Sequence, residues 1–379
     1  MIDFLLSFKS FQIALSRLPD FAAKAVAAAL ISVFCSKFCI ASTGNAETRT
    51  INFPPSGLGR YFVNRPDVSF MSQWPARDLG EVAQGKIAIP RSAVLSLETA
   101  TASGNYLPKL AALKDNDLQL LDVSGAIVTH SNLKYILGLK QLQSLILIGT
   151  AVDDRDIETV VAGLPELKEL NIGYTVVTDR CLKSIGKLQK LSRLHLQKCK
   201  LSAAGLIHLA SLKSLTFIDL SQSAITDDAI DAVSKIPSLS TLNLANTNVS
   251  DKGLRSLLVM TSLKRLDLSK TAVNDSTLQA ILSRMTALEE LNLSETKVSD
   301  QGIKHLRQLT HLQKLWLRGL PKVTDSAISD LLEHRQLKDL EIQKTNITEQ
   351  GVSKLAMVLS LTEVHSKPPC SCQKRPRVN

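Results

Sequence analysis

Residues whose type and spacing could carry chemistry are few in this 379-residue chain. His195 stands in Arg193-Leu194-His195 with no second His or Cys at ligand spacing, so the sequence assigns it to the surface and not to a metal. Asp122, Asn171, Asp219, Asn243, Asp267 and Asn292 recur at near-constant intervals and could suggest a calcium ladder. Only three of the six are charged, and calcium takes about six to eight oxygen ligands, so the recurrence reads as a structural signature. Ser and His never fall in a nucleophile elbow, and Walker A, HExxH and paired CxxC motifs are absent. Cys370 and Cys372 form one C-x-C, too few ligands for a structural zinc, while Cys199 is read as a buried, inert thiol. No catalytic constellation, cofactor or metal is expected.

The elements that must position such residues follow from a period. LxxLxL segments begin at Leu118, Leu142, Leu167, Leu191, Leu215, Leu239, Leu263, Leu288, Leu312 and Leu337, always 24 or 25 residues apart. A half unit, Leu361 to Val364, continues the spacing, and Val94 to Leu97 sits one period ahead. Each unit first alternates apolar and polar residues, then places apolar residues three apart, as at Ile303 and Leu306; this predicts a strand followed by a short helix. The junction is Thr129, Asp153, Thr178, Ser202, Thr226, Ser250, Asn274, Ser299, Thr324 or Thr348, types whose side-chain oxygens cap helix N-termini. The next residue is acidic in eight units, which suits the positive end of the helix dipole.

Leu266-Asp267-Leu268-Ser269-Lys270-Thr271 and Val298-Ser299-Asp300-Gln301-Gly302-Ile303 resemble the leucine-rich repeat family, in its bacterial type written LDLSxTxVTDxGL. The resemblance covers residues 118–364. It implies an α/β solenoid, a horseshoe with a parallel sheet on its concave face and short helices on its convex face. One departure stands out. Where many members carry a laddering Asn, this chain has Thr150, Thr175, Thr247, Thr271, Thr296 and Thr345, and Cys199, so the turns must satisfy backbone groups with hydroxyls or directly.

The ends differ from the array. Eleven of sixteen aromatics precede residue 75. The apolar run Ala25–Cys35, flanked by Lys24 and Lys37 and followed by small residues up to Ala46, reads as a secretory signal too short to be a membrane span. The expected organisation is therefore a signal peptide or hydrophobic N-terminal segment over 1–46, a linker and N-terminal cap over 47–93, a repeat domain over 94–364 and a disordered basic tail over 365–379. The six cysteines do not fix a compartment. Of the formal charge of +10, residues 1–49 hold +2 and residues 365–379 hold +4, so the basicity belongs largely to the ends.

Arg180–Lys200 holds seven Lys or Arg and no acid, a candidate nucleic-acid footprint. Repeat phase spreads those charges around the solenoid, and the strand-face positions carry ten basic and nine acidic residues, so nucleic acid is disfavoured. A protein or peptide ligand on the concave face is the expected partner, with Tyr174, Arg193, His195, Phe217, Lys314, Trp316 and Arg318 as binding residues, because aromatics and Arg anchor interfaces. The expected protein is a non-catalytic monomer without a transmembrane span, exported to a periplasm, a cell surface or the medium. The alternative is a cytoplasmic adaptor resembling an F-box leucine-rich repeat protein. Leu18-Pro19-Asp20 supports that reading weakly, and the alanine-rich stretch after it argues against an F-box.

Overall fold

The computed structural model describes residues 48–55, 57–64, 81–99, 106–359 and 362–366. The leader over 1–46 and the tail with Cys370 and Cys372 lie outside the described residues. The chain divides into two units, Met1–Ser96 and Leu97–Asn379.

In the first unit, the apolar segments read as a linker leading into a cap form strands. Ile51 and Phe53 alternate with Thr50 and Asn52, the period of a half-buried strand, and β1 (Thr48–Phe53) pairs antiparallel with β4 (Gly85–Pro90) from Thr48 opposite Pro90 to Phe53 opposite Gly85. Between them lie β2 (Gly59–Asn64) and β3 (Glu81–Val82), also antiparallel. Ile51, Phe53, Leu58 and Ile89 are buried, and the Phe53 and Tyr61 rings stack 5.6 Å apart. The boundary between units falls inside β5 (Val94–Thr99).

The second unit is a solenoid. Its strands are β6 (Leu120–Asp122), β7 (Ser144–Ile146), β8 (Glu169–Asn171), β9 (Arg193–His195), β10 (Phe217–Asp219), β11 (Thr241–Asn243), β12 (Arg265–Asp267), β13 (Glu290–Asn292), β14 (Lys314–Trp316), β15 (Asp339–Glu341) and β16 (Glu363–His365). Each pairs in parallel with the next, so equivalent residues of successive units stand side by side. A short helical segment follows each strand up to β15. The leucines of each LxxLxL point inward: Leu191, Leu194 and Leu196 are 0% exposed, as are their counterparts Leu215, Ile218 and Leu220. A parallel strand requires a crossover, and here that crossover is the helical return of one unit.

Four devices shape the turns, and the second and fourth of them join neighbouring units. Eight of the ten junction side chains cap their helices: Asp153, Thr178, Ser202, Ser250, Asn274, Ser299, Thr324 and Thr348. Two expected caps differ. Thr226 has the extended cap conformation without the hydrogen bond, and the helix after Thr129 starts later, with Asn132 as its cap residue and the Asn132 side chain accepting the Thr129 N–H at 2.7 Å.

The acid after the cap reaches across to the next turn. Asp227 accepts both the Ser250 N–H (2.8 Å) and its hydroxyl (2.6 Å), and Asp154 does the same for Thr178, Asp275 for Ser299, Asp300 for Thr324 and Asp325 for Thr348. Helix-dipole complementarity is therefore only part of the role of this residue. The carboxylates need room. Gly205, Gly253, Gly302 and Gly351, in the first turns of their helices, lie directly against Asp179, Asp227, Asp275 and Asp325 of the preceding units.

The hydroxyls expected to replace an Asn ladder do satisfy the backbone. Thr150, Thr175, Thr247, Thr271, Thr296 and Thr345 each donate to the carbonyl three residues earlier, at 2.5–2.8 Å. Cys199 cannot serve its own turn so well. Its thiol points to Ile172 O at 3.4 Å, and the carbonyl of Leu196 receives the Ser223 hydroxyl of the next unit instead, at 3.0 Å.

The fourth device was invisible in the sequence. One position per unit has a left-handed backbone: Gly125, Gly149, Tyr174, Lys198, Gln222, Asn246, Lys270, Glu295, Gly319 and Lys344, with φ between 54° and 71°. From Gly125 to Gly319 its N–H donates to the corresponding turn of the next unit, as from Tyr174 to Gln197 O and from Lys270 to Ser294 O, at 2.8 and 2.9 Å. The hydrogen-bond ladder thus continues past the strands.

Candidate functional site

The face of the sheet opposite the leucines carries the candidate binding residues. Its central row is mostly structural. Asp122, Asn171, Asp219, Asn243, Asp267 and Asn292 each accept the backbone N–H two residues on, at 2.8–3.1 Å, closing an Asx turn where the strand ends. That recurrent task accounts for the supposed calcium ladder. Four units from β7 to β15 abandon it, placing Ile146, His195, Trp316 and Glu341 in the row.

Three of the expected residues meet in one cluster over β8–β10. His195 was expected at the surface; it is 3% exposed, because Glu169 on the adjacent strand and Phe217 on the other side enclose it. His195 Nε2 lies 3.2 Å from Glu169 Oε1, and Ser144 donates to Glu169 Oε2 at 2.9 Å. The Arg193 guanidinium stacks 4.0 Å from the Phe217 ring centre, and its Nε lies 3.5 Å from Glu169, an ion pair without hydrogen-bond alignment. The imidazole packs on Phe217 with ring centres 4.6 Å apart. Gln197 bridges from this group to Asp219 at 2.9 Å.

Electrostatics hold the cluster closed. Burial opposes the Glu169 charge, but the His195 and Ser144 hydrogen bonds and the nearby Arg193 outweigh it and keep the carboxyl below its ordinary range. Burial lowers the Arg193 pKa against the pull of Glu169. Ser144 is bonded to the glutamate and not to the imidazole, so the Ser-Glu-His line lacks the order of a nucleophilic triad. Glu169, Ser144 and Gln197 were not among the residues singled out from sequence, and Asp219 was singled out only as part of the recurrent Asp/Asn row. Aligning the strand rows would have shown Ser144, Glu169, Arg193 and Phe217 at one position of successive units.

The other four residues stand apart. Tyr174 follows β8 in the left-handed turn, 43% exposed, with Lys198 Nζ 5.6 Å from its ring centre; it is a turn residue and not a strand-face one. Arg318 likewise lies beyond the end of β14, exposed in the turn. Trp316 is in the central row, half-buried between Asn292 and Glu341 of the neighbouring strands. Lys314 on the same strand pairs with Glu290 at 3.0 Å, and Glu290 also meets Arg265 at 3.3 Å. Four strand spacings, roughly 19 Å, separate β10 from β14.

The basic stretch Arg180–Lys200 is partly neutralised, by Arg180 with Glu158 at 3.0 Å, Lys190 with Glu166 at 2.6 Å and Arg193 with Glu169. Cys181 and Cys199 are buried. Desolvation raises both thiol pKa values, that of Cys199 to about 11, which suppresses the reactive thiolate. Among the described residues, no group of three or more His, Cys, Asp or Glu could hold a metal, and no helix is long and apolar enough to cross a membrane. A groove of about 550 Å³ lies on the helical side, where Ala204, Ile207, Asp228, Asp231 and Lys235 bring together no reactive pair.

A leucine-rich repeat family model matches residues 235–258, one full period of the array. No curated protein matches the sequence. Among solved structures, an internalin (inlF) from Listeria monocytogenes is similar at 17% identity, with a TM-score of 0.49 over 79% of this chain and 93% of that one. An internalin C2 (inlC2) from the same organism is similar at 24% identity, with a TM-score of 0.43 over 57% of this chain and 84% of that one. The matched unit, the unbroken 24- to 25-residue period and the parallel ladder built from it show a leucine-rich repeat solenoid.

Proposed function

We propose that the chain is a non-catalytic recognition module that binds a protein or peptide across the open face of its sheet, with Trp316 as the anchor and Lys314 and Arg318 beside it. One observation carries the reading: Trp316 replaces the Asx residue that shapes the turn in six other units, and it remains half-exposed. A large aromatic in a row held in six units by turn-forming Asp or Asn offers apolar area to a ligand, and the exposed Arg318 beside it can pair with the ligand's acids. The Arg193–His195–Phe217 cluster is a weaker anchor than its residue types suggest, because its charges and ring faces are already engaged within the chain. Solenoid sheets of this kind generally serve protein recognition, which supports the class of partner.

Export through a leader over residues 1–46 belongs to the same proposal and rests on the sequence pattern alone. The experiment has two parts. The N-terminal residue of the protein purified from its native cell is expected to be Glu47; an intact Met1 would favour the adaptor reading. Partners recovered with parent and Trp316→Ala protein, at matched melting temperatures, are then compared, with Lys252→Ala on the helical side as control. Loss of about 2 kcal/mol or more of binding is expected for Trp316→Ala. Unchanged recovery rejects Trp316 as the anchor.

A further inference from the structure

The last described unit of the array is less covered than the earlier ones. Ile347, Val352 and Val364 are half-buried, whereas Val323, Ile328 and Leu340 at the same positions of the preceding unit are 0%, 5% and 0% exposed. Met357, on the same final helix Glu349–Val358, is 77% exposed. Beside it β16 forms the edge of the sheet, with β15 as its one hydrogen-bonded neighbour among the described residues. The Glu363 N–H donates to Lys338 O and the His365 carbonyl accepts from Ile342 N–H, both at 2.9 Å. Strand alternation then directs the N–H and C=O of Val364 away from β15, to the open side.

We infer that this edge is the dimerisation surface of the chain, β16 pairing antiparallel with β16 of a second copy about a two-fold axis at Val364. The strand's own sequence selects the second copy. Antiparallel pairing centred on Val364 sets Glu363 opposite the partner's His365 and His365 opposite the partner's Glu363, two carboxylate–imidazole pairs from three residues, in which the imidazole can donate to the carboxylate. Glu363 is 80% and His365 48% exposed; within its own chain His365 Nε2 lies 3.4 Å from Asp339 Oδ1 and 3.7 Å from Glu363 Oε2, contacts that pairing with the partner's Glu363 would share or replace. The geometry also favours their contact, since these residues occupy the non-hydrogen-bonded positions, where facing side chains come closest. A three-residue strand is too short to hold a dimer alone. A two-fold axis normal to the sheet keeps both helix layers on one side, so Val352 and Met357 meet the partner's final helix, and Ile347 and Val364 gain the cover that interior units have. Such an isologous contact uses the edge on both copies and closes. The dimer replaces the monomer expected from sequence.

Light scattering on the full chain at micromolar concentration tests the inference. Twice the chain mass is expected, and a monomer at every concentration overturns it. Val364→Pro removes only the outward N–H, a place where an edge strand tolerates proline, and Glu363→Lys removes the acceptor carboxylate from both pairs; each should raise the dissociation constant about tenfold or more. The exchange Glu363→His with His365→Glu keeps the pairs and should keep the dimer; its loss overturns the register, as does a dimer that survives Val364→Pro. Should Val364→Pro fail to fold, Glu363→Cys with His365→Cys, in a background with Cys35, Cys39, Cys370 and Cys372 each replaced by Ser, replaces it. Facing positions about 4.5 Å apart permit a disulfide, so a covalent dimer should form on oxidation, whereas Asp339→Cys with Glu341→Cys on β15 should give none. Equal cross-linking of the two pairs, or none in either, overturns the proposal.

Discussion

Asp227 and Gly253 fit together across a turn boundary: a Cβ on Gly253 would lie 2.5 Å from Asp227 Oδ1 and 2.8 Å from Asp227 Cα. The aspartate is held there by the Ser250 hydroxyl and N–H, so it has no free direction in which to retreat. Helix propensity alone would make Gly253→Ala stabilising by about 1 kcal/mol. The opposite is expected, a loss of about 1–3 kcal/mol from overpacking, measured by denaturant unfolding. Adding Asp227→Ala should recover part of the loss, because contacting residues couple. A stabilised Gly253→Ala would refute the joint.

Core phase is tested at Leu266, which is 2% exposed and in register with Leu242 and Leu291. Leu266→Asp buries an unpaired carboxylate among leucines and should abolish cooperative thermal unfolding. In an array whose units contact only neighbours, the damage should centre on the adjoining units. A melting curve like the parent's would mean the side chain faces outward.

The repeat, its strand and helix halves and most of its caps were legible because each depends on residue type at fixed spacing. The burial of His195 was not. Its enclosure comes from Glu169 and Phe217, 26 and 22 residues away, which only strand register brings alongside. The left-handed position was hidden for another reason: it is occupied by Gly, Tyr, Lys, Gln, Asn and Glu, so no composition marks it, and the conformation is imposed by the turn-to-turn hydrogen bond.

Glu169 should make stability acid-sensitive. Its folded pKa lies below the ordinary carboxylate value, so the folded state binds protons less readily than the unfolded chain. The contribution is therefore complete above about pH 4.5 and is lost as pH falls through the depressed folded value. Asp154, held low against burial by its bonds from Thr178, adds in the same direction. Glu169→Gln should lower stability at neutral pH and flatten the acid limb of a stability–pH curve. An acid limb unchanged in slope would show that Glu169 contributes nothing to it.

At Lys270, φ is 56° and the side chain is exposed. A left-handed L-residue costs about 1–2 kcal/mol relative to glycine, and the greater freedom of glycine in the unfolded chain offsets about 0.4–1 of that. Lys270→Gly should thus be neutral to stabilising by about 1 kcal/mol, whereas Lys270→Val should destabilise, since a β-branched residue fits this conformation worst. Equal melting temperatures for the two variants would argue against the assigned backbone.

Those left-handed residues amount to an addressable margin along the sheet. Tyr174, Lys198, Gln222, Asn246, Lys270, Glu295 and Lys344 are all exposed, and each stands one strand spacing, or a small multiple of it, from the next. Because the backbone hydrogen bond and not the side chain fixes the turn, unbranched side chains can be exchanged there without disturbing the leucine core. The margin can therefore change its charge and shape faster than the sheet it borders, and a ligand lying along the open face would be read by residues that carry none of the weight of the fold.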